Sequence, residues 1–249
     1  MNAGRTLLAA AAAAAALGTA TAPAVSAAPS PGTVVIVPGQ YIGALPYQPM
    51  KAALERSGYR VDVLSLTGLD LRADAATIGT AVDRARANGG GVSLVGHSVG
   101  GLSTRYYLKA LGGAPKVARY VAIGTAQYGS PAACSQSGTA REVCPGSGFL
   151  ATLNSGVGAV GPTQYYSIRS AKEWADGRIT GPQCRMTPVP SATGNGGFDH
   201  TLEPVDPRVI AQVQAAVAGR CEGVRANDPA GSIRIQDTLY PAGKAASGG

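Results

Sequence analysis

Five residues, Thr33-Val34-Val35-Ile36-Val37, form an apolar, β-branched run that is closed by Pro38-Gly39. A run this short and this apolar needs burial on both faces, as in a strand inside a parallel sheet. The chain then repeats the demand. Pro46 to Ser57 carries Met50, Ala53 and Leu54 at helical spacing and stops at Gly58, and Tyr59 to Leu66 alternates like a strand. Asp74 to Asn88 is helical, with Ile78, Val82 and Ala85 on one face. Val92 to Val95, Val99 to Leu111 and Val117 to Ile123 read as strand, helix and strand, Thr163 to Arg169 as a further strand, and Pro207 to Ala218 as a last helix. Strands alternating with helices of 10 to 15 residues predict an α/β fold, a mostly parallel sheet with helices on both faces. Residues 125 to 161 have no clear period, and no internal repeat is present.

Within this pattern, "SLVGHSVGGLS" (93 to 103) sets Gly96-His97-Ser98-Val99-Gly100 between a strand and a helix. That is where a Gly-x-Ser-x-Gly turn raises a serine as a nucleophile. A residue at such a corner adopts unfavourable backbone angles, and side chains two positions away would collide, so glycine flanks it. The helix that follows aims its first N–H groups at any anion forming beside Ser98.

A serine needs a base, and the chain has two histidines. His97 adjoins Ser98, where packing or a local hydrogen bond is its expected role. His200 remains, in "GGFDHT", read as a loop before the last helix. The acid should lie between Ser98 and His200, after a strand. In "SIRSAKEWADGRI" both Glu173 and Asp176 qualify; Asp176 is preferred because glycine follows it, and Glu173 is the alternative. Two backbone N–H groups, of Val99 and of Gln40 in the Pro38-Gly39-Gln40 loop, are the expected oxyanion donors.

Met1 to Gly4, Arg5, the apolar stretch Leu7 to Leu17 and the small-residue segment ending Val25-Ser26-Ala27 read as a secretory signal peptide over 1–27. Its apolar core is about half of the roughly 20 residues that a membrane span needs. The expected organisation is therefore a hydrolase-type domain over 28–221 and a loosely ordered tail over 222–249. Export suggests that the four cysteines are oxidised, most economically as Cys134 with Cys144 and Cys184 with Cys221. The net charge of +7 is scattered, without a Lys/Arg run or interleaved aromatics, so nucleic acid is not an expected partner. No Asp-x-Asp-x-Asp-Gly calcium loop is present, no metal-binding residues are assigned, and a metal requirement is left open.

Taken together, "VVIVPGQ", "LVGHSVGGLSTRYYL", "QYYSIRS" with its acidic loop, and "FDHTLEPVDPRVIAQV" make the chain resemble secreted bacterial triacylglycerol lipases of the class 2 type, in the α/β-hydrolase superfamily. "CSQSGTAREVCPGSGFLATLN" is similar to the cysteine-containing segment and short helix of actinobacterial members. Many relatives carry His-Gly where this chain has Pro38-Gly39. The resemblance implies a secreted serine hydrolase that cleaves acylglycerols or other carboxylic esters through an acyl-enzyme on Ser98; a monomer is the expected state, though the sequence does not reveal it. It implies no redox or nucleotide cofactor, and a lipid or ester substrate met at a lipid–water interface. Phe149, Leu150 and Leu153 are the candidates for an apolar face receiving acyl chains, with plain core packing as the alternative. An acyltransferase or thioesterase on the same machinery, or a non-catalytic binding protein of this fold, are the competing readings.

Overall fold

The computed structural model describes residues 31–175 and 177–238. The expected leader, Asp176 and residues 239–249 of the expected tail lie outside the described residues. Seven strands form one sheet: β1 (Thr33–Val37), β2 (Arg60–Val63), β3 (Val92–His97), β4 (Arg119–Ile123), β5 (Gln164–Ile168), β6 (Gly181–Met186) and β7 (Gly223–Asp228). Their order is β2-β1-β3-β4-β5-β6-β7. The first six run parallel, and β7 joins β6 antiparallel.

Side chains alternate across each strand, so every central strand feeds two cores. Val34 and Ile36 point to one face, with Met50 and Leu54 of α1 (Gln48–Arg56) and Val209 and Val213 of α6 (Pro207–Val217). Val35 and Val37 point to the other, with Ile78 and Val82 of α2 (Leu71–Ala87) and Leu108 of α3 (Val99–Ala110). The remaining helices are short: α4 (Gly148–Asn154), α5 (Gly196–Leu202) and α7 (Ile235–Thr238). Asp70 caps α2 by accepting the Ala73 N–H at 3.0 Å, which starts that helix three residues before the expected Asp74.

Three elements differ from the sequence reading. Strand β6 begins Gly-Pro and has no two-residue alternation; it forms because β5 and β7 supply its backbone partners. Strand β7 is largely exposed and falls within the expected tail; backbone pairing holds it, beside the Cys184–Cys221 disulfide that anchors the chain entering it. His200 lies in helix α5 rather than in a loop. The second disulfide joins Cys134 to Cys144, so both pairings match the economical ones. No helix among the described residues is long and apolar enough to cross a membrane.

Candidate active site

Ser98 occupies the corner between β3 and α3 with φ +54° and ψ −128°. A non-glycine residue held there costs roughly 1–3 kcal/mol, and it persists only where the surroundings impose it. They do so here. A Cβ on Gly96 would come within 2.6 Å of the Gly101 Cα, and one on Gly100 within 2.3 Å of the Pro38 carbonyl oxygen. The elbow is wedged against its own helix on one side and the end of β1 on the other.

The strand ends and α5 converge on this corner. His200 Nε2 lies 3.0 Å from Ser98 Oγ, and His200 Nδ1 lies 3.0 Å from Glu173 Oε2. Glu173 is fully buried, and its other oxygen accepts the N–H groups of Trp174 at 2.9 Å and Ala175 at 3.4 Å. Of the two candidate acids, the described residues bring Glu173 to His200. A second carboxylate is also present: Glu203 Oε2 stands 3.4 Å from His200 Nδ1 and 3.5 Å from His97 Nε2. Burial opposes charge on His200, but the two carboxylates outweigh it and push the imidazole pKa up to about 10. Burial raises the Glu173 carboxyl above its ordinary range. Burial opposes the Glu203 charge too, yet the adjacent imidazoles bring it below.

His97 is wholly buried, and burial lowers its pKa, so it is neutral. The Gly39 N–H donates to Tyr47 Oη at 3.0 Å, and the Tyr47 hydroxyl then donates to His97 Nδ1 at 2.7 Å. The His97 proton therefore sits on Nε2, which donates to the His200 carbonyl at 3.1 Å. The expectation of a local hydrogen bond for His97 understates this relay, which runs from the loop after β1 to the backbone of α5.

Gln40 and Val99 both border the cavity beside Ser98. Val99 opens α3, so its N–H has no partner inside the helix. Neither that N–H nor the one of Gln40 donates to a protein group among the described residues. Tyr41, directly after Gln40, is the other non-glycine residue with positive φ among the described residues, +59°. Strain therefore marks both stretches carrying the expected oxyanion donors.

The cavity has a volume of about 210 Å³, with Leu102, Ala133, Val143 and Trp174 among its walls. Phe149, Leu150 and Leu153 do not line it. They are buried with Leu71 and Leu102 in a third apolar cluster, and the Phe149 ring stacks on Tyr106 at 5.1 Å between centroids. Of the two roles open to them, core packing is the one seen, because α4 turns its apolar face to α3. Sequence reasoning missed Trp174, whose ring lies 5.9 Å from that of His200, and Glu203. Asn195 held the signal for Glu203: it caps α5 by accepting the Gly197 and Phe198 N–H groups, and a helix there sets residues 200 and 203 on one face.

No family model and no curated protein matches the chain. Solved structures do. Phospholipase PlaB from Legionella pneumophila superposes with a TM-score of 0.59 at 10% identity, over 76% of this chain and 60% of that one. Bacillus licheniformis lipase BlEst2 in its propeptide form gives 0.55 at 14% identity, over 85% and 54%. A metagenomic carboxyl esterase gives 0.44 at 19% identity, over 60% and 53%. This chain thus spans little more than half the length of these neighbours. The strand order, the elbow and the likeness to PlaB and BlEst2 together show that the chain has the α/β-hydrolase fold.

Proposed function

We propose that this protein is a secreted serine hydrolase that cleaves carboxylic esters, a lipase or carboxylesterase, with Ser98 as nucleophile, His200 as base and Glu173 as the acid that orients it. The observation that carries the reading is the unbroken line from a strained Ser98 Oγ through His200 to buried Glu173, with both contacts at 3.0 Å. Two disulfides and the leader-like first 27 residues support export.

In this mechanism Ser98 Oγ attacks the ester carbonyl while its proton passes to His200 Nε2. The developing oxyanion accepts the Val99 and Gln40 N–H groups. The C–O bond then breaks, and His200 gives its proton to the departing alcohol, leaving an acyl-enzyme. A water molecule, deprotonated by His200, attacks the acyl carbon, and the proton returns to Ser98 as the acid leaves. Glu173 keeps the other ring proton on Nδ1 throughout. A cavity of about 210 Å³ is below the usual range for drug-sized ligands and suits short to medium acyl chains.

A nitrophenyl ester series of increasing acyl length, run beside a trioleoyl emulsion, tests the reading. Turnover greatest on the shorter esters and abolished in Ser98→Ala is expected. Absence of turnover on every ester, with the protein folded, would overturn it.

A further inference from the structure

Glu203 is nearly as inaccessible as Glu173, at 1% exposure, yet the triad described above leaves it without a task. A buried carboxylate is costly unless charges or donors compensate it. Its Oε1 accepts the Ser170 N–H at 3.1 Å. Its Oε2 reaches no lysine or arginine among the described residues; the basic groups within 4 Å are imidazoles, His200 Nδ1 at 3.4 Å and the neutral His97 Nε2 at 3.5 Å. The packing is built around this oxygen. A Cβ on Gly124, just past β4, would fall 2.3 Å from Glu203 Oε2 and 2.7 Å from His200 Nδ1.

We propose that Glu203 is a positioning residue of the Ser98–His200–Glu173 triad: its Oε2 stands within 3.5 Å of both His97 and His200, hydrogen-bonded to neither, and adds a second negative charge behind the base. The proposal rests on the hydrolase reading of this site. The Nδ1 proton of His200 goes to Glu173 Oε2 at 3.0 Å, and Glu203 Oε2 faces the same nitrogen at 3.4 Å as a charge without a hydrogen bond. The Nε2 proton of His97 goes to the His200 carbonyl at 3.1 Å, and Glu203 Oε2 faces the same nitrogen at 3.5 Å as a neighbouring charge. When Ser98 gives up its proton, the ring of His200 becomes a cation facing two carboxylates already in place, which favours that state without reorganisation. No further proton moves. The titratable groups facing Glu203 are His200 from α5, His97 from the end of β3 and Glu173 from the loop after β5, with Tyr47 behind His97.

The consequence is an alkaline displacement of the base. A carboxylate within 4 Å raises a neighbouring imidazole by about 1–3 pH units. Neutral His200 is the active form, so Glu203→Gln should move the acid limb of kcat/KM on a short-chain nitrophenyl ester at least about 1 unit lower. KM should change little, and Glu203→Asp should restore part of the shift. A folded Glu203→Gln whose limb coincides with that of the parent overturns the proposal. The chain has two histidines, so ¹⁵N-histidine labelling of the full-length parent gives a second test that does not need the variant to fold. His97 should remain neutral with its proton on Nε2, and His200 should titrate well above the ordinary histidine range. A proton on His97 Nδ1, or His200 titrating near 6.5, overturns the proposal. This spectrum can overturn the role of Glu203 even if the protein hydrolyses no ester, an outcome that would count against the functional reading alone.

Discussion

Replacing Glu173 by Gln keeps its volume and removes its charge, and the surroundings leave glutamine no good orientation. If the amide oxygen keeps the Trp174 and Ala175 N–H groups, the NH₂ faces His200 Nδ1, donor against donor. The ring must then carry its proton on Nε2 and point an N–H at Ser98 instead of a lone pair. If the amide flips, its NH₂ meets two backbone N–H groups, and leaving such buried donors unpaired costs about 1–3 kcal/mol. Wrong-tautomer substitutions of this kind set an upper bound near 10⁴-fold in kcat. Glu203 Oε2 still stands 3.4 Å from Nδ1 and can hold the productive tautomer part of the time. The expected loss in kcat is therefore about 10²–10³-fold, or about 3–4 kcal/mol. KM should stay close to that of the parent, because Glu173 does not line the cavity. Steady-state hydrolysis of a short-chain nitrophenyl ester, normalised by active-site titration, measures both constants. A kcat within tenfold of the parent would refute the assignment, and a large loss in Asp176→Asn instead would transfer the role to Asp176.

Further outcomes are expected. Ser98→Ala should lose all labelling by a fluorophosphonate probe, read by intact-protein mass spectrometry; labelling that persists would place the nucleophile elsewhere. Reducing Cys184–Cys221, which closes a 37-residue separation around His200, should lower stability by about 4 kcal/mol and turnover with it, as denaturant titration and ester assay would show. His200 has a raised folded pKa of about 10, so its stabilising contribution is complete below the unfolded value near 6.5 and is lost as pH climbs through about 10. Unfolding free energy should therefore fall over that window while ester turnover rises, and parallel pH series would expose any other trend. Asp199 behaves in the opposite sense. Burial works against its charge, but bonds from Ser170, Ser191, Ala192 and Thr193 hold its carboxyl below the usual range, so its contribution is lost as pH drops. Asp199→Asn should flatten the acid limb of an unfolding profile, and an unchanged limb would show that the 191–195 loop is held by other means.

What the sequence revealed depended on how local the cause was. The β1 run, the α2 and α6 periodicities and the elbow were legible because each is written in consecutive residues. Strands β6 and β7 were not, since their order comes from neighbours distant in the chain and from a disulfide. At the site, Ser98 and His200 followed from a motif and from the scarcity of histidine. For the acid, the preference for aspartate before glycine said nothing of the two N–H groups that fix Glu173 beside His200, and Asp176 lies outside the described residues. Glu203 escaped because chain order directed attention upstream of His200, whereas a helical turn folds it back beneath the ring.

One division of labour in the fold bears on how such a protein diversifies. The groups proposed to react stand at the corner after β3, in the loop after β5 and on α5, whereas Gln136, Ala140 and Val143 of the pocket wall lie inside the stretch spanned by the Cys134–Cys144 clasp, with Ser130 and Ala133 just before it. Drift or exchange within that clasped stretch would reshape what the pocket admits while the Ser98–His200–Glu173 arrangement keeps its registration. Under the proposed function, selectivity would thus be a detachable trait, carried by other residues than the chemistry.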